Sequence, residues 1–305
     1  MIDEGGQRMD NALARGLWSG PAVIAAAIVG GLVIGMVPAN VWPVLLAKSD
    51  VPAAVSAELA FLAVYLWWVA GGGPPVRLRA LRAECFGLNQ LSPGHWAWGI
   101  AAGLSFAGTV HAAIVLLFRF EPFPAAVFHR GYDLAFIPSR SLQWLACIVS
   151  ALSAGICEEV GFRGYMQKPI ENRYGPPLAI FISSLFFTLI HLTKNWALLG
   201  MVPIVFGAGL LLGALARQSG TVIFGILGHW IMDIGLFAFW WTQIAGSFAQ
   251  RTIFETGVDK SFLVECAAFF ALLSFTLLAI RQLGRGSDRR AGAQMAQRRP
   301  GFSSA

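Results

Sequence analysis

Charged side chains are scarce in this sequence. The 22 Lys and Arg and 16 Asp and Glu residues make up 12% of the 305 residues, about half the charged share of an average soluble domain. This shortage excludes a water-soluble globule, and it also excludes intrinsic disorder and nucleic-acid binding, which need far more polar surface. The four cysteines show no CxxC spacing, so they predict neither a disulfide framework nor a zinc cluster.

Long apolar runs take the place of the missing charges, since 56% of the residues are hydrophobic. A bilayer core about 30 Å thick is crossed by about 20 apolar residues in helical conformation. Eight runs approach this length, near residues 20–47, 52–71, 96–118, 141–168, 177–193, 196–216, 220–243 and 261–280. Pro38 and Pro43 predict that the first run is bent or split. The predicted fold is an all-α, polytopic transmembrane bundle of about eight spans.

Basic residues are unevenly distributed between the two sides of this eight-span topology. One side carries 15 Lys and Arg residues and the other carries 7. Because basic residues favour the cytoplasmic side of a membrane, both termini are predicted to be cytoplasmic. The polar segment before the first run lacks a cleavage site of the A-x-A type, so the first run is interpreted as a retained helix.

The chain divides into five predicted segments. They are a polar tail (1–18), N-terminal transmembrane helices with interfacial segments (19–140), a helical core (141–245), an extracytoplasmic loop with the last span (246–282), and a basic tail expected to be disordered (283–305). The helical core differs from the rest because it contains most of the ionisable residues at membrane depth. Such residues are costly in a bilayer and usually mark function.

Three short motifs hold these residues, each on its own span. They read EEVGFR at 158–163, FTLIH at 187–191 and HWIMD at 229–233. Three further polar residues, Glu58, His111 and Glu265, are isolated, one per span, and are interpreted as satisfied by neighbours or close to the membrane surface.

The two adjacent carboxylates of the first motif are predicted to have different roles. Neighbouring residues on a helix point about 100° apart, so Glu158 and Glu159 cannot face the same partner. Glu159 and Arg163 stand four residues apart with the acid first, which favours an ion pair on one helix face. Glu158 is left without a local cation, and a carboxylate in such a site is suited to accept and return a proton near neutral pH.

The spacing between the motifs predicts that their side chains meet. The midpoint between Glu158 and His191 falls at 174.5, inside a turn at residues 173–177 that contains Gly175 and two prolines. In an antiparallel hairpin, residues equidistant from the turn lie at the same depth, here about 20–25 Å along each helix. His229 and Asp233 share one face of the seventh span, at a depth of about 13 Å from the turn at Gly220.

In order and spacing, the motifs E-E-x-x-x-R, F-x-x-x-H and H-x-x-x-(N or D) resemble those of the CAAX prenyl endopeptidase and bacteriocin-processing family (CPBP or ABI family) of intramembrane proteases. The resemblance covers roughly residues 141–243. It implies a bacterial multi-pass protein of the inner (cytoplasmic) membrane that hydrolyses a peptide bond of a membrane-associated protein or peptide. The core at 141–245 is then the catalytic segment.

The resemblance also implies roles for individual residues. Glu158 activates water with help from His191, His229 and Asp233 stabilise the oxyanion, and Glu159 with Arg163 braces the helix. A mechanism without a metal or other cofactor is favoured, because H-E-x-x-H is absent. The alternative is a zinc site with His191, His229 and Asp233 as ligands and Glu158 as the base. Asp233 is also open to a second role as the partner that orients His229.

Two other classes of function are compatible with polar residues at membrane depth. A proton-coupled transporter uses such residues for ion pathways, although its usual internal repeat is absent from this sequence. A non-catalytic immunity or scaffold protein of the same fold is the other alternative.

Overall fold

A computed structural model describes residues 20–87, 91–130, 134–192 and 196–298 of the chain. The helices are α1 (Gly20–Ala39), α2 (Val41–Lys48), α3 (Val51–Val69), α4 (Arg79–Phe86), α5 (Pro93–Phe120), α6 (Ala125–Arg130), α7 (Arg140–Glu159), α8 (Lys168–Tyr174), α9 (Pro176–Leu192), α10 (Val202–Ser219), α11 (Ile223–Gly235), α12 (Ile253–Thr256) and α13 (Lys260–Arg298). Two π-helical segments, Val160–Gln167 and Leu236–Trp241, follow α7 and α11 directly, and short 3₁₀ turns form at Val76–Leu78 and Trp196–Met201. This part of the chain contains no strand, which confirms the all-α prediction.

Among the described residues, seven helical stretches are long and apolar enough to cross a membrane, and an eighth, α9, falls short at 17 residues. At 1.5 Å per residue α9 is about 25 Å long. Helices α1 and α2 together make the first span, and Asn40 separates them. The predicted interruption near Pro38 and Pro43 is therefore present. The fold is a polytopic helix bundle, as predicted.

The longest buried helix runs through the middle of the bundle. Helix α7, the first π segment and α8 form one stretch from Arg140 to Tyr174, and 78% of its most apolar window is buried inside the bundle. Helix α1 packs against the π segment where Gly31 and Gly35 meet Gly161. A Cβ atom at Gly161 would lie 2.6 Å from Gly31 O, so glycine is needed for the two backbones to approach this closely.

Helix α5 links α11 to α13 on the other side of the bundle. It approaches α11 through Gly103 and Gly228, where an added Cβ would lie 2.9 Å from the opposing backbone. It is joined to α13 by a hydrogen-bonded group of three buried hydroxyls, Ser105, Thr109 and Thr276. The approach at Gly103 and Gly228 places α11, which carries the third motif, directly against α5.

Arg82 belongs to a basic segment that connects two spans, a position that suggests an exposed side chain. The structure instead buries it. Its side chain is 2% exposed and donates hydrogen bonds to backbone carbonyls of the loop after α3, at Trp68, Gly72, Gly73 and Pro75. The guanidinium satisfies carbonyls that the end of a helix leaves without partners. This arginine therefore closes the loop instead of facing solvent.

The structure describes part of only one of the two predicted tails. The polar tail at 1–18 lies outside the described residues. The disorder expected for the basic tail at 283–305 stays a prediction, and helix α13 continues to Arg298. The segment is rich in Arg, Ala and Gln, which are good helix formers, and this extends the helix beyond the apolar span.

Candidate active site

The three motifs meet in the centre of the bundle. Glu158 lies at the end of α7, His191 at the end of α9 and His229 in the middle of α11. Glu158 Oε2 is 4.0 Å from His191 Nε2 and 3.9 Å from His229 Nε2. The structure therefore brings together the acid and the two imidazoles, and the equal depth expected for Glu158 and His191 is present.

Glu159 makes two contacts through the same oxygen. Its Oε1 accepts a hydrogen bond from Arg163 Nη1 at 2.9 Å, and both side chains are fully buried. The same Oε1 lies 2.9 Å from His229 Nδ1. The ion pair expected from the i, i+4 spacing is present, whereas the contact with the third motif is not apparent from the sequence, because residues 159 and 229 lie on different helices.

The contact with Glu159 fixes the orientation of the His229 ring. An ionised carboxylate can only accept hydrogen bonds, so Nδ1 of His229 is the donor to Glu159. Nε2 then faces Glu158, and it also lies 3.4 Å from Asp233 Oδ2. A carboxylate bonded to one ring nitrogen sets the tautomer and rotation of a histidine at many sites.

His191 is oriented by its own helix. Its Nδ1 lies 2.7 Å from the backbone oxygen of Phe187, and because a carbonyl only accepts, Nδ1 is the donor. In the neutral ring this leaves a lone pair on Nε2, on the side facing Glu158. The two histidines thus present the same ring nitrogen to one carboxylate.

The Phe187 ring packs among the polar residues of the site. Its centroid is 4.6 Å from that of His191 and 5.9 Å from that of His229. The Arg163 guanidinium lies over it at 4.4 Å, a distance typical of a cation–π interaction. Phe187, the first residue of the second motif, therefore acts in packing, and it separates the ion pair from the His191 side of the cluster.

The π segment after α7 attaches the site to α10. Arg163 Nη2 donates to Gly209 O at 3.4 Å, and Gln167 Nε2 donates to Gly213 O at 3.0 Å. A Cβ at Gly209 would lie 2.9 Å from the Ser184 Cβ. The absence of a side chain at this position lets α9 and α10 pack closely behind the cluster.

The side chains of the cluster differ in how much of their surface is exposed. The side chain of His191 is 28% exposed, whereas those of Glu158 and His229 are 6% and 2% exposed. The cluster is therefore most open on the His191 side. Low exposure strengthens electrostatic interactions within such a site, because little water screens them.

The zinc alternative, with His191, His229 and Asp233 as ligands, stays a prediction. Within the part of the chain that the structure describes, no three His, Cys, Asp or Glu side chains are grouped as a metal site requires. All four cysteines are free thiols.

The isolated polar residues find partners away from the cluster. Glu58 accepts a hydrogen bond from Ser153 at 2.6 Å, and Glu265 lies 3.9 Å from Arg119. His111 differs from these two, because it contacts the backbone of the third motif at Met232 O.

The fold and the cluster define a polytopic membrane protein with a buried carboxylate and imidazole site. Residues 139–235 match a protein family described as Type II CAAX prenyl endopeptidase Rce1-like. The match covers just under a third of the chain and includes all three motifs. It confirms the resemblance: residues 139–235 are similar to this family. No curated protein and no solved structure matches the chain.

Proposed function

We propose that this protein is an intramembrane endopeptidase that hydrolyses a peptide bond of a membrane-associated protein or peptide. The observation that carries the proposal is the position of Glu158 Oε2 between the Nε2 atoms of His191 and His229, at 4.0 and 3.9 Å. The match of residues 139–235 to an endopeptidase family supports the same reaction class.

Glu158 acts as the general base. Distances near 4 Å are too long for direct hydrogen bonds but suit groups that share a water molecule. Glu158 takes one proton from this water. His191 Nε2 accepts a hydrogen bond from the other O–H of the water, which orients the water oxygen toward the scissile carbonyl. Hydroxide adds to that carbonyl, the C–N bond breaks, and Glu158 returns its proton to the leaving amine.

His229 stabilises the oxyanion that forms on addition. With both ring nitrogens protonated, it donates from Nδ1 to Glu159 and from Nε2 to the oxyanion, and a fixed donor in a dry site contributes strongly to such stabilisation. Asp233 is itself an anion, so direct contact with the oxyanion is unfavourable. Its Oδ2, 3.4 Å from His229 Nε2, instead orients the ring before substrate binds, which favours the second of the two roles expected for this residue.

The proposed setting is the inner (cytoplasmic) membrane with both termini in the cytoplasm. The lipid bilayer and a membrane-associated substrate are the proposed partners. The proposed mechanism uses no metal, because each step has a protein side chain to perform it.

The experiment is cleavage of a membrane-anchored peptide by the purified protein in proteoliposomes, with products identified by mass spectrometry. We expect Glu158→Gln and His191→Ala to lower the rate by about 100- to 10,000-fold, as for loss of general acid or base catalysis. Glu58→Gln is the matched control, because Glu58 is buried but lies outside the cluster. Full activity in both site variants would refute the proposal.

A further inference from the structure

His111 lies on α5, outside all three motifs. Its ring contacts both α11 and the π segment that follows α11. Trp240 Nε1 is 3.2 Å from His111 Nδ1, and His111 Nε2 is 3.1 Å from the backbone oxygen of Met232. An indole nitrogen only donates and a carbonyl only accepts. His111 therefore accepts at Nδ1 and donates from Nε2, which defines a single neutral tautomer.

The carbonyl that accepts from His111 lies where α11 changes its hydrogen-bond pattern. Helix α11 ends at Gly235 and the π segment begins at Leu236, whose N–H is shared between the carbonyls of Met232 and Asp233. π segments inserted in α-helices often occur at functional sites. A side-chain donor at Met232 O fixes the backbone one residue before Asp233.

Gly235 provides the space for this contact. A Cβ atom at residue 235 would overlap His111 Nε2. The three residues thus pack together: Gly235 leaves space for the His111 ring, and Trp240 donates a hydrogen bond to it. None of the three residues belongs to a catalytic motif.

We infer that His111 is a positioning residue for Asp233 and, through it, for His229. By holding Met232 O, His111 sets the direction in which Asp233 Oδ2 meets His229 Nε2, the 3.4 Å contact in the cluster. The inference rests on the proposed endopeptidase function, because it assigns His111 an effect on oxyanion stabilisation. His111 does not touch the substrate or the reacting atoms.

The kinetic test compares two variants of His111 with the wild type on the same anchored peptide. His111→Phe keeps a ring and loses the donor, so we expect kcat to fall about tenfold, the factor given by about 1.4 kcal/mol. KM should stay within about twofold, because a contact that matters only in the transition state changes kcat alone. His111→Gln places an amide donor near the Nε2 position and should restore most of kcat.

Two further variants separate positioning from general packing. Gly235→Ala should reproduce the fall in kcat by displacing the His111 ring. Thr109→Val removes buried hydrogen bonds that Thr109 makes within α5 and to α13, and it should leave kcat unchanged. An equal loss of kcat in His111→Phe and His111→Gln would overturn the inference, and so would a change confined to KM.

Nitrogen-15 NMR of the ring nitrogens, with His111→Gln used for assignment, tests the same inference without activity. The expected signature is a neutral His111 with the proton on Nε2, and a proton on Nδ1 would overturn the inference. Loss of activity in Glu158→Gln with full kcat in His111→Phe would refute only the inference. Undiminished activity in Glu158→Gln would refute the proposed function.

Discussion

The central span and the first and last spans differ most in how much protein surrounds them. In the stretch from Arg140 to Tyr174, 78% of the most apolar window is buried inside the bundle, against 17% in Gly20–Lys48 and in Lys260–Arg285. Mean hydropathy alone ranks them in the opposite order, at 1.6 for the central span and 2.3 for each outer span.

This difference shows where the protein can place ionisable groups. Protein surrounds the central span, so Arg163 donates a hydrogen bond to Glu159 there although both side chains are fully buried. The outer spans present side chains such as Val29 and Val264, 61% and 67% exposed, which suit a lipid environment. The site chemistry thus depends on enclosure by neighbouring helices.

The largest expected effect is on stability, from breaking the enclosed ion pair. Arg163→Met leaves Glu159 buried without its cation, which should lower the free energy of unfolding by about 3–5 kcal/mol. Arg217→Ala is the matched control, because its ion pair with Glu171 is 3.1 Å long but Arg217 is 47% exposed, and exposed pairs contribute about 0–1 kcal/mol. Denaturation in detergent compares the two, and equal losses would contradict the role of enclosure.

A second prediction concerns activity. Glu159→Gln replaces the carboxylate that orients His229 with a neutral amide, so we expect the rate of peptide cleavage to fall about 10- to 100-fold, as for other partners that orient a functional histidine. Glu58→Gln, in an equally buried position on α3, should leave the rate unchanged. If both variants retain the wild-type rate, the contact between Glu159 and His229 has no catalytic role.

The third prediction compares adjacent glycines on the first span. A Cβ at Gly31 would lie 2.6 Å from Met166 Cβ and 2.8 Å from Gly161 O, whereas a Cβ at Gly30 meets nothing within 4 Å. Gly31→Ala should destabilise the protein by about 1–3 kcal/mol through overpacking. Gly30→Ala should be neutral or stabilising, since alanine is the better helix former. Thermal unfolding of the two variants is the measurement, and equal midpoints would contradict the close approach of α1.

The smallest expected effect depends on pH and lies just outside the last span. A hydrogen bond from the Phe262 backbone N–H, with a second from Arg119, holds the pKa of Asp259 below its ordinary value of 3.8. A lowered pKa stabilises the fold above the ordinary value, and this contribution is lost as the pH falls through the lowered pKa. Glu265, 3.9 Å from Arg119, keeps part of the charge interaction.

The measurement for Asp259 is thermal unfolding of the wild type and of Asp259→Asn at several pH values. The wild type should be the more stable of the two at pH 6, and the difference should disappear as the pH falls through the lowered pKa of Asp259. A stability difference that does not change with pH would contradict the lowered pKa of Asp259.

The architecture was largely predictable because apolar run length and proline positions are local properties. The interruption near Asn40 and the hairpin that brings Glu158 to His191 both follow from spacing along the chain. The π segment at Val160–Gln167 and the burial of Arg82 did not follow, because they depend on which neighbouring backbone groups need partners. The length of α13 was underestimated, because a polar, basic composition is compatible with both helix and disorder.

For the site, the sequence predicts which residues meet but not how their rings are oriented. The spacing of Glu159 and Arg163 indicates an ion pair within one helix. The bond from His229 Nδ1 to Glu159 joins residues 70 positions apart, and it depends on the rotation of α11, which no local pattern specifies. His111 was missed as a contact of the third motif for the same reason, since an isolated polar residue carries no spacing information.

The most direct test of convergence on one cluster is a double-mutant cycle on single-turnover cleavage with Glu158→Gln and His229→Gln. Groups that act as one unit show strongly non-additive losses. We predict that the double variant is no more than a few-fold slower than the slower single variant. A double variant whose loss equals the product of the two single losses would show that Glu158 and His229 act independently, and would contradict a shared catalytic site.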